Sequence, residues 1–380
     1  IMVKVLLVIV FLFWAQRYVL FGFDVFEICT FMNYSYFCPD FMQPIHQIFP
    51  ELNQPKKIVV TMHQKPDGDA MGSTLGLFHF LIQFGHDVKV ISPTNWASFL
   101  SWMPGCANVL DYEKDTLKSD DLIRQADWIF CLDFNTLSRT KKMEPELIKS
   151  KAIRILIDHH QQPQTEMFSF GISDTSKSST AEMVYDFINA SGFQDKINDE
   201  IAQCLYSGVM TDTGSFRFPS TSSNVHLMVA DFLKRGLSHS VIHQHLFDNF
   251  SENRLRFIGN VLINRLQIFY EYNTALISIP QSDLIKYDIK TGDTEGLVNY
   301  PLSIEGIKLA AIVIDRGDER KLSFRSKGNF DVNTFARTYF DGGGHYNAAG
   351  GQSKDNLETV VSKFVKAITE NKEQLSTYQF

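Results

Sequence analysis

The segment Ile157-Asp158-His159-His160-Gln161 ends an apolar run with a carboxylate and two adjacent imidazoles. Those are metal-ligand types, yet the tripeptide alone is weak. With 11 histidines in 380 positions, about 0.3 His-His pairs arise by chance, so weight must come from elsewhere in the chain. Further ligand-type residues are present. "HQKPDGDAMGS" offers His63, Asp67 and Asp69, "LDFNTLSR" offers Asp133, and "SGVMTDTGSFRF" offers Asp212. Each of these taken singly reads more readily as a helix cap or turn residue. Their conjunction favours a site. Mixed imidazole and carboxylate ligands suit Mn²⁺, Zn²⁺ or Fe better than the oxygen-only shell of Mg²⁺. Four Asp and two His exceed the needs of one hydrolytic ion with open positions. They suit two ions roughly 3.5–4 Å apart, bridged by one carboxylate and able to activate water at neutral pH. Four carboxylates also offset two divalent charges, so an incoming phosphate would not be repelled.

The elements around these residues have to bring them together. From Pro55 onward, short apolar runs alternate with helical segments, the pattern of a parallel α/β sheet. "KIVVTMH" (57–63), "DVKVISP", "ADWIFCLDF" (126–134) and "AIRILIDHH" read as strands; 70–84, 179–190 and 200–207 read as helices, the first stopping at Gly85. Ligands of an open parallel sheet bind beyond the carboxyl ends of its strands. The ligand-type residues stand after three such ends, with Asp212 following a helix.

A boundary is expected near residue 250. The reading places a catalytic domain over 55–250, a helical linker over 251–270 (its helix 251–266), and a smaller α/β substrate domain over 271–375. In that domain "NTALISIP", "IKLAAIVID" and "RKLSFRSK" read as strands, and "VNTFARTYF" and "NLETVVSKFVKAITENK" as helices. Its "FDGGGHYNAAGG" places Gly342, Gly343 and Gly344 where backbone N–H groups could reach a phosphate, with His345 as a further donor. Arg325 can stack on a base or pair with a phosphate. The spacing of His239, His243 and His245 is ligand-like, but no carboxylate accompanies them, and they read as a structural helix.

Bulk properties narrow the partners. A net charge of -7 excludes a basic coat for long duplex nucleic acid, though not a small phosphorylated ligand in a local pocket. Five scattered cysteines without a CxxC suit reduced thiols and a cytoplasmic setting. Residues 1–41 are atypically apolar. Their run Val5–Ala15 is too short to span a bilayer. The reading favours an upstream extension of the frame, with Met32 or Met42 as the start, over a membrane anchor or signal peptide.

The ordered motifs "HQKPDGDAMGS", "LDFNTLSR", "IDHH", "SGVMTDTGSFRF" and "GGGHYNAAGG" resemble those of the DHH phosphoesterases. The likeness spans about residues 55–375. It is to the two-domain branch that hydrolyses short oligoribonucleotides and 3′-phosphoadenosine 5′-phosphate (pAp). The resemblance implies two Mn²⁺ ions, one on His63 and Asp67 and the other on Asp69, His159 and Asp212, with Asp133 bridging. It implies that His160 faces the substrate phosphate and that Asp158 orients a neighbouring imidazole. Arg139 reads as a tie for the strand-end loop. Arg325, Gly342, Gly343, Gly344 and His345 would hold substrate, with Asp341 standing where relatives often have a fourth glycine. Very short RNA and pAp are the expected partners, with no membrane partner and a homodimer left open. The rival readings are a cyclic-dinucleotide or pApA phosphodiesterase and, from another class, an inert nucleotide-binding regulator. The regulator would be expected to lack at least one ligand, and all six are present.

Overall fold

The computed structural model describes residues 42–376. The apolar extension over 1–41, with Cys29 and Cys38, lies outside the described residues. Strands β1 (Gln43–Pro44), β2 (Lys57–Thr61), β3 (Asp87–Ser92), β4 (Leu110–Asp111), β5 (Trp128–Leu132), β6 (Ile153–Asp158) and β7 (Phe170–Ser173) form one sheet. Its order is β1-β7-β6-β5-β2-β3-β4, and every pairing is parallel. From β2 the chain runs outward through β3 and β4, then returns to lay β5 on the other side of β2. That reversal opens a crevice at the carboxyl ends of β2 and β5, where an open α/β sheet binds its ligand.

Three helices close over that crevice: α1 (Gly68–Leu81), α2 (Thr180–Ala190) and α3 (Asp199–Asp212). α1 begins because Asp67 caps it, its Oδ1 accepting the N–H groups of Asp69 and Ala70, each at 3.1 Å. It ends through a short 3-10 turn at Gly85, whose φ of 78° is the left-handed conformation of a helix stop. α1 crosses α3 at very short range. A Cβ on Gly72 would stand 2.4 Å from the Cys204 carbonyl oxygen, and one on Gly208 would stand 2.9 Å from Asp69 Oδ1. The small residues at this crossing let Asp69 and Asp212 approach from two helices.

After α4 (Glu252–Asn264) comes a second sheet, of β8 (Leu266–Phe269), β9 (Thr274–Ile279), β10 (Leu309–Asp315), β11 (Arg320–Ser326), β12 (Gly343–His345) and β13 (Ala348–Ser353). Its order is β12-β13-β11-β10-β9-β8, with β9 and β10 parallel and the rest antiparallel. α5 (Val332–Tyr339) and α6 (Leu357–Glu370) cover one face through Phe335, Val360 and Phe364 against Leu322 and Phe324. On the other face α4 buries Phe257 and Val261 against Ile277 and Ile312.

The structure corrects the sequence reading in three places. The helix expected to end at Ser207 continues through Asp212, so this carboxylate sits on the last helical turn instead of beyond it. The connecting helix stops at Asn264, and Leu266–Phe269 pairs with β9 as a strand. The glycine segment is no free loop: Gly343–His345 is edge strand β12, paired with β13. Glycine has poor strand propensity, so local pattern hides β12 and β13. Cys106, Cys131 and Cys204 are buried and unbridged. Among the described residues, no helix is long and apolar enough to cross a membrane.

Candidate metal centre

His63 follows β2, Asp133 follows β5 and Asp158-His159-His160 closes β6, so neighbouring strands deliver them to one rim. Asp67 and Asp69 come from the start of α1 and Asp212 from the end of α3. Asp133 has a φ of 62°, a left-handed conformation that costs a non-glycine residue on the order of 1 kcal/mol and clusters at functional sites. Here it turns the carboxylate into the crevice.

The two oxygens of Asp133 face different partners. Oδ2 lies 3.4 Å from His63 Nε2, which is itself 3.8 Å from Asp67 Oδ2. Oδ1 lies 3.5 Å from His159 Nε2, and that nitrogen is 3.8 Å from Asp69 Oδ2 and 3.4 Å from Asp212 Oδ2. Ligand atoms held about 2.1 Å from a tetrahedral ion stand about 3.4 Å from one another, so these gaps match the edges of two coordination shells. His63, Asp67 and Asp133 form one cluster that could hold an ion, and Asp69, Asp133 and His159 a second. All six sequence-derived ligand candidates meet here.

The imidazole tautomers suit the same purpose. Nδ1 of His63 lies 2.8 Å from the Gln64 carbonyl oxygen, and Nδ1 of His159 lies 3.3 Å from that of Lys177. Each carbonyl can accept a hydrogen bond from Nδ1–H, which leaves Nε2 facing the carboxylates as the atom that could bind an ion. His160 is wired otherwise. Its Nδ1 donates to Asp158 Oδ1 at 2.7 Å, while its Nε2 accepts from Arg139 Nη1 at 3.0 Å. Asp158 thus orients an imidazole, as expected. Arg139 does more than tie the loop, because besides reaching the Asp133 carbonyl oxygen at 3.3 Å it engages His160. Burial and the Arg139 charge hold the His160 imidazole well below its usual range, so it is neutral.

Electrostatics give a physical test of whether cations fit. Burial and the neighbouring Asp133 and Asp212 charges push the Asp69 carboxyl well above the carboxylate range. Burial raises Asp212 to about 7 against the pull of His159. Burial opposes protonation of His159, yet Asp133, Asp212 and Asp69 outweigh it and raise the imidazole well above its usual value. The raised values mark a crowded anionic pocket whose charge divalent cations would neutralise. The donor set and its spacing fit such ions.

Sequence reasoning missed the supports. The N-terminus of α2 points at the centre: Thr180 N–H donates to Asp69 Oδ2 at 2.7 Å, Ala181 N–H to Asp69 Oδ1 at 2.9 Å, and Thr180 Oγ1 to Asp133 Oδ1 at 3.0 Å. Ser179-Thr180-Ala181-Glu182 is a legible capping box, but only the fold shows where that helix aims. Thr180→Val should weaken Mn²⁺ binding by about 10–100-fold, read by calorimetric titration; unchanged affinity would leave Thr180 without a supporting role.

The substrate candidates stand opposite. His345 lies with its ring centroid 4.4 Å from His160 and 4.6 Å from His159, and the Arg325 charge acts on Asp212 and Asp67. Gly344 differs from expectation: its N–H already donates to Asn333 Oδ1 at 2.9 Å. The glycines at 342 and 344 serve close packing, since a Cβ would fall 2.1 Å from the Gly350 carbonyl oxygen or 2.6 Å from that of Ala348. Asn333 Nδ2 also donates to Gln161 Oε1 at 3.1 Å, joining the second domain to the residue after His160. The helix His239–Phe247 is structural, with His243 near Tyr206 Oη at 3.1 Å and His245 stacked on Trp102.

Comparison with known proteins gives the lineage. The model of the DHH family, N-terminal domain, matches residues 57–209, and that of the DHHA1 domain matches residues 270–373. The chain is 27% identical over 317 residues to the bifunctional oligoribonuclease and PAP phosphatase NrnA of Thermus thermophilus, covering 82% of this chain and 89% of that one. It is 27% identical over 311 residues to the protein of the same name in Bacillus subtilis, covering 80% and 92%. The crystal structure of an exopolyphosphatase-related protein from Bacteroides fragilis matches with a TM-score of 0.83 at 38% identity, over 87% of this chain and 97% of that one. The chain belongs to the DHH family of phosphoesterases, which are hydrolases, and its DHH domain is followed by a DHHA1 domain.

Proposed function

We propose that the protein is a Mn²⁺-dependent phosphohydrolase that removes nucleotides from the 5′ end of very short RNA and dephosphorylates pAp to AMP. The carrying observation is the division of Asp133, one oxygen toward His63 and the other toward His159. On this reading His63 and Asp67 would hold one Mn²⁺, Asp69, His159 and Asp212 would hold the other, and Asp133 would serve both through its two oxygens. Ions bound there supply Lewis-acid polarisation of the phosphoryl group and an activated water.

The rest falls to the chain's own residues. His160, kept neutral between Asp158 and Arg139, presents a fixed ring edge beside the phosphoryl group, and the Arg139 guanidinium adds a positive charge where negative charge develops. His345 closes over this pair from the second domain, excluding water, while Arg325 draws the substrate phosphate toward the acidic rim. Gly342 leads into the edge strand Gly343–His345, which carries His345 to the centre. The net charge of -7 suits di- and trinucleotides over a long strand. Three buried unbridged thiols agree with a cytoplasmic setting.

The test uses the full chain with Mn²⁺ and compares initial rates on a 5′-phosphorylated RNA dinucleotide, pAp and cyclic di-AMP. The dinucleotide and pAp are expected to lead. A clear lead for cyclic di-AMP would replace this reading by the signalling phosphodiesterase, and tight binding without turnover would replace it by the regulator.

A further inference from the structure

His345 reaches the centre on a slight support. β12 is three residues long, two of them glycine, and it pairs with β13 at the edge of its sheet. Glycine loses the most freedom on folding, and so short an edge strand holds little by itself. Yet the His345 ring meets His160 at a centroid distance of 4.4 Å and an interplanar angle of 29°. A support outside the sheet is therefore required.

The first turn of α5 supplies it. Val332 N–H donates to the Tyr346 carbonyl oxygen at 2.8 Å, and Gly344 N–H donates to Asn333 Oδ1 at 2.9 Å, so both chain neighbours of His345 are tied to α5. Asp331 caps that turn, accepting the N–H groups of Asn333 at 2.9 Å and Thr334 at 3.1 Å. Asn333 is 4% exposed. Its Oδ1 also accepts from Arg337 Nε at 3.1 Å. Two donors on the oxygen fix which way the amide faces. Nδ2 is left pointing at the first domain, where it donates to Gln161 Oε1 at 3.1 Å.

Gln161 is itself firmly placed. It follows His160 in the chain, and its carbonyl oxygen accepts from Asn135 Nδ2 at 2.6 Å. Asn135, two residues after Asp133, accepts the Gln164 N–H at 2.8 Å on its own carbonyl. The Gln161–Asn333 bond therefore joins two braced backbones, one beside each imidazole. We propose that Asn333 is a positioning residue, which through Gln161 sets the distance and angle between His345 of the second domain and His160 of the first. The assignment rests on the function proposed above and adds to it a residue that acts through others. One atom of the Asn333 amide holds β12 and the other holds the first domain, so the two histidines meet one phosphoryl group as a pair. Small misplacements of such groups are costly in rate.

The experiment measures kcat and KM of the full chain with Mn²⁺ on pAp for Gln161→Met, Asn333→Ala and the double variant. Gln161→Met keeps the length of the side chain and removes the acceptor. It should lower kcat about fivefold, as expected for losing one neutral hydrogen bond, with KM within about twofold of wild type. Asn333→Ala, which also frees the Gly344 N–H, should lower kcat further. Adding Gln161→Met to Asn333→Ala should cost nothing more, because the bond is already gone. Losses that multiply, an unchanged kcat in Gln161→Met, or a loss carried by KM alone overturns the assignment. A second readout needs no turnover. Amide hydrogen exchange at Gly344 should quicken about fivefold in Gln161→Met, since Asn333 then holds β12 with its far end unanchored; an unchanged rate overturns the proposal. Should Asn333→Ala fail to fold, Gln161→Met decides through kcat and exchange. Should wild type leave pAp untouched, the proposed function fails separately, and the Gly344 exchange rate decides the positioning role.

Discussion

Asp133→Asn should lower kcat by at least about a thousandfold, because metal-ion stabilisation of a transition state is worth several kcal/mol and each 1.36 kcal/mol is tenfold in rate. The substitution isolates charge from shape. Asparagine tolerates the left-handed backbone that residue 133 adopts at a φ of 62°, so the strand end and the Thr180 contact can persist. The lost quantity is the anionic bridge, whose two oxygens lie 3.4 Å from His63 and 3.5 Å from His159. An amide leaves one oxygen acceptor and no charge. Calorimetry with Mn²⁺ should show fewer ions bound in the variant than in wild type, in step with the loss of turnover. A variant that keeps more than about a tenth of the rate, with full metal binding, would remove Asp133 from the bridging position.

Metal removal should destabilise the protein, and more so as pH rises. In the absence of ions the pocket is held by protons. His159 is raised well above its usual value, Asp69 well above the carboxylate range, and Asp212 from 3.8 to about 7. Groups whose folded pKa is raised favour the folded state at low pH, and that advantage is lost as pH climbs through the folded value. For Asp212 the window runs from about pH 4 to about pH 7, worth at most roughly 4 kcal/mol at 1.36 kcal/mol per unit. Asp133 behaves oppositely. Burial would raise it, but hydrogen bonds from His159 and His63 hold it well below the usual range, so its contribution is lost only under strong acid. Bound cations replace the protons, so the stabilisation they confer should grow with pH. At a hundredfold excess over Kd each ion adds about 2.7 kcal/mol, and two ions should raise the melting temperature by on the order of 10 °C. Thermal scans with Mn²⁺ and with chelator, at pH 5.5 and pH 8, should show the larger gap at pH 8. An equal or reversed gap would mean that these groups are not displaced by metal.

The ligand-type residues could be picked out from the chain because their motifs are local. His63-to-Asp69, Asp133, Asp158-to-His160 and Asp212 each stand at the end of an apolar run or helix whose periodicity shows in one dimension. The parallel α/β character followed from the alternation of strands and helices. Asp67 illustrates both what such a reading sees and where it stops. Read alone it is a helix cap or a ligand candidate, and the structure has it cap α1 with Oδ1 while Oδ2 faces His63.

The support of the centre was not legible, because each part depends on an approach between distant segments. The aim of α2 at Asp69 spans 111 residues, and the join between Gln161 and Asn333 spans 172. The glycine segment was read as an open phosphate loop, since nothing local to Gly342–Gly344 shows that Asn333 takes the Gly344 N–H and that Gly350 and Ala348 crowd the backbone. Residue type and short spacing carry the chemistry that the chain can do, because ligand identity is a property of side chains. Which oxygen faces which histidine is decided by packing over long separations, where backbone geometry and burial outweigh local preference.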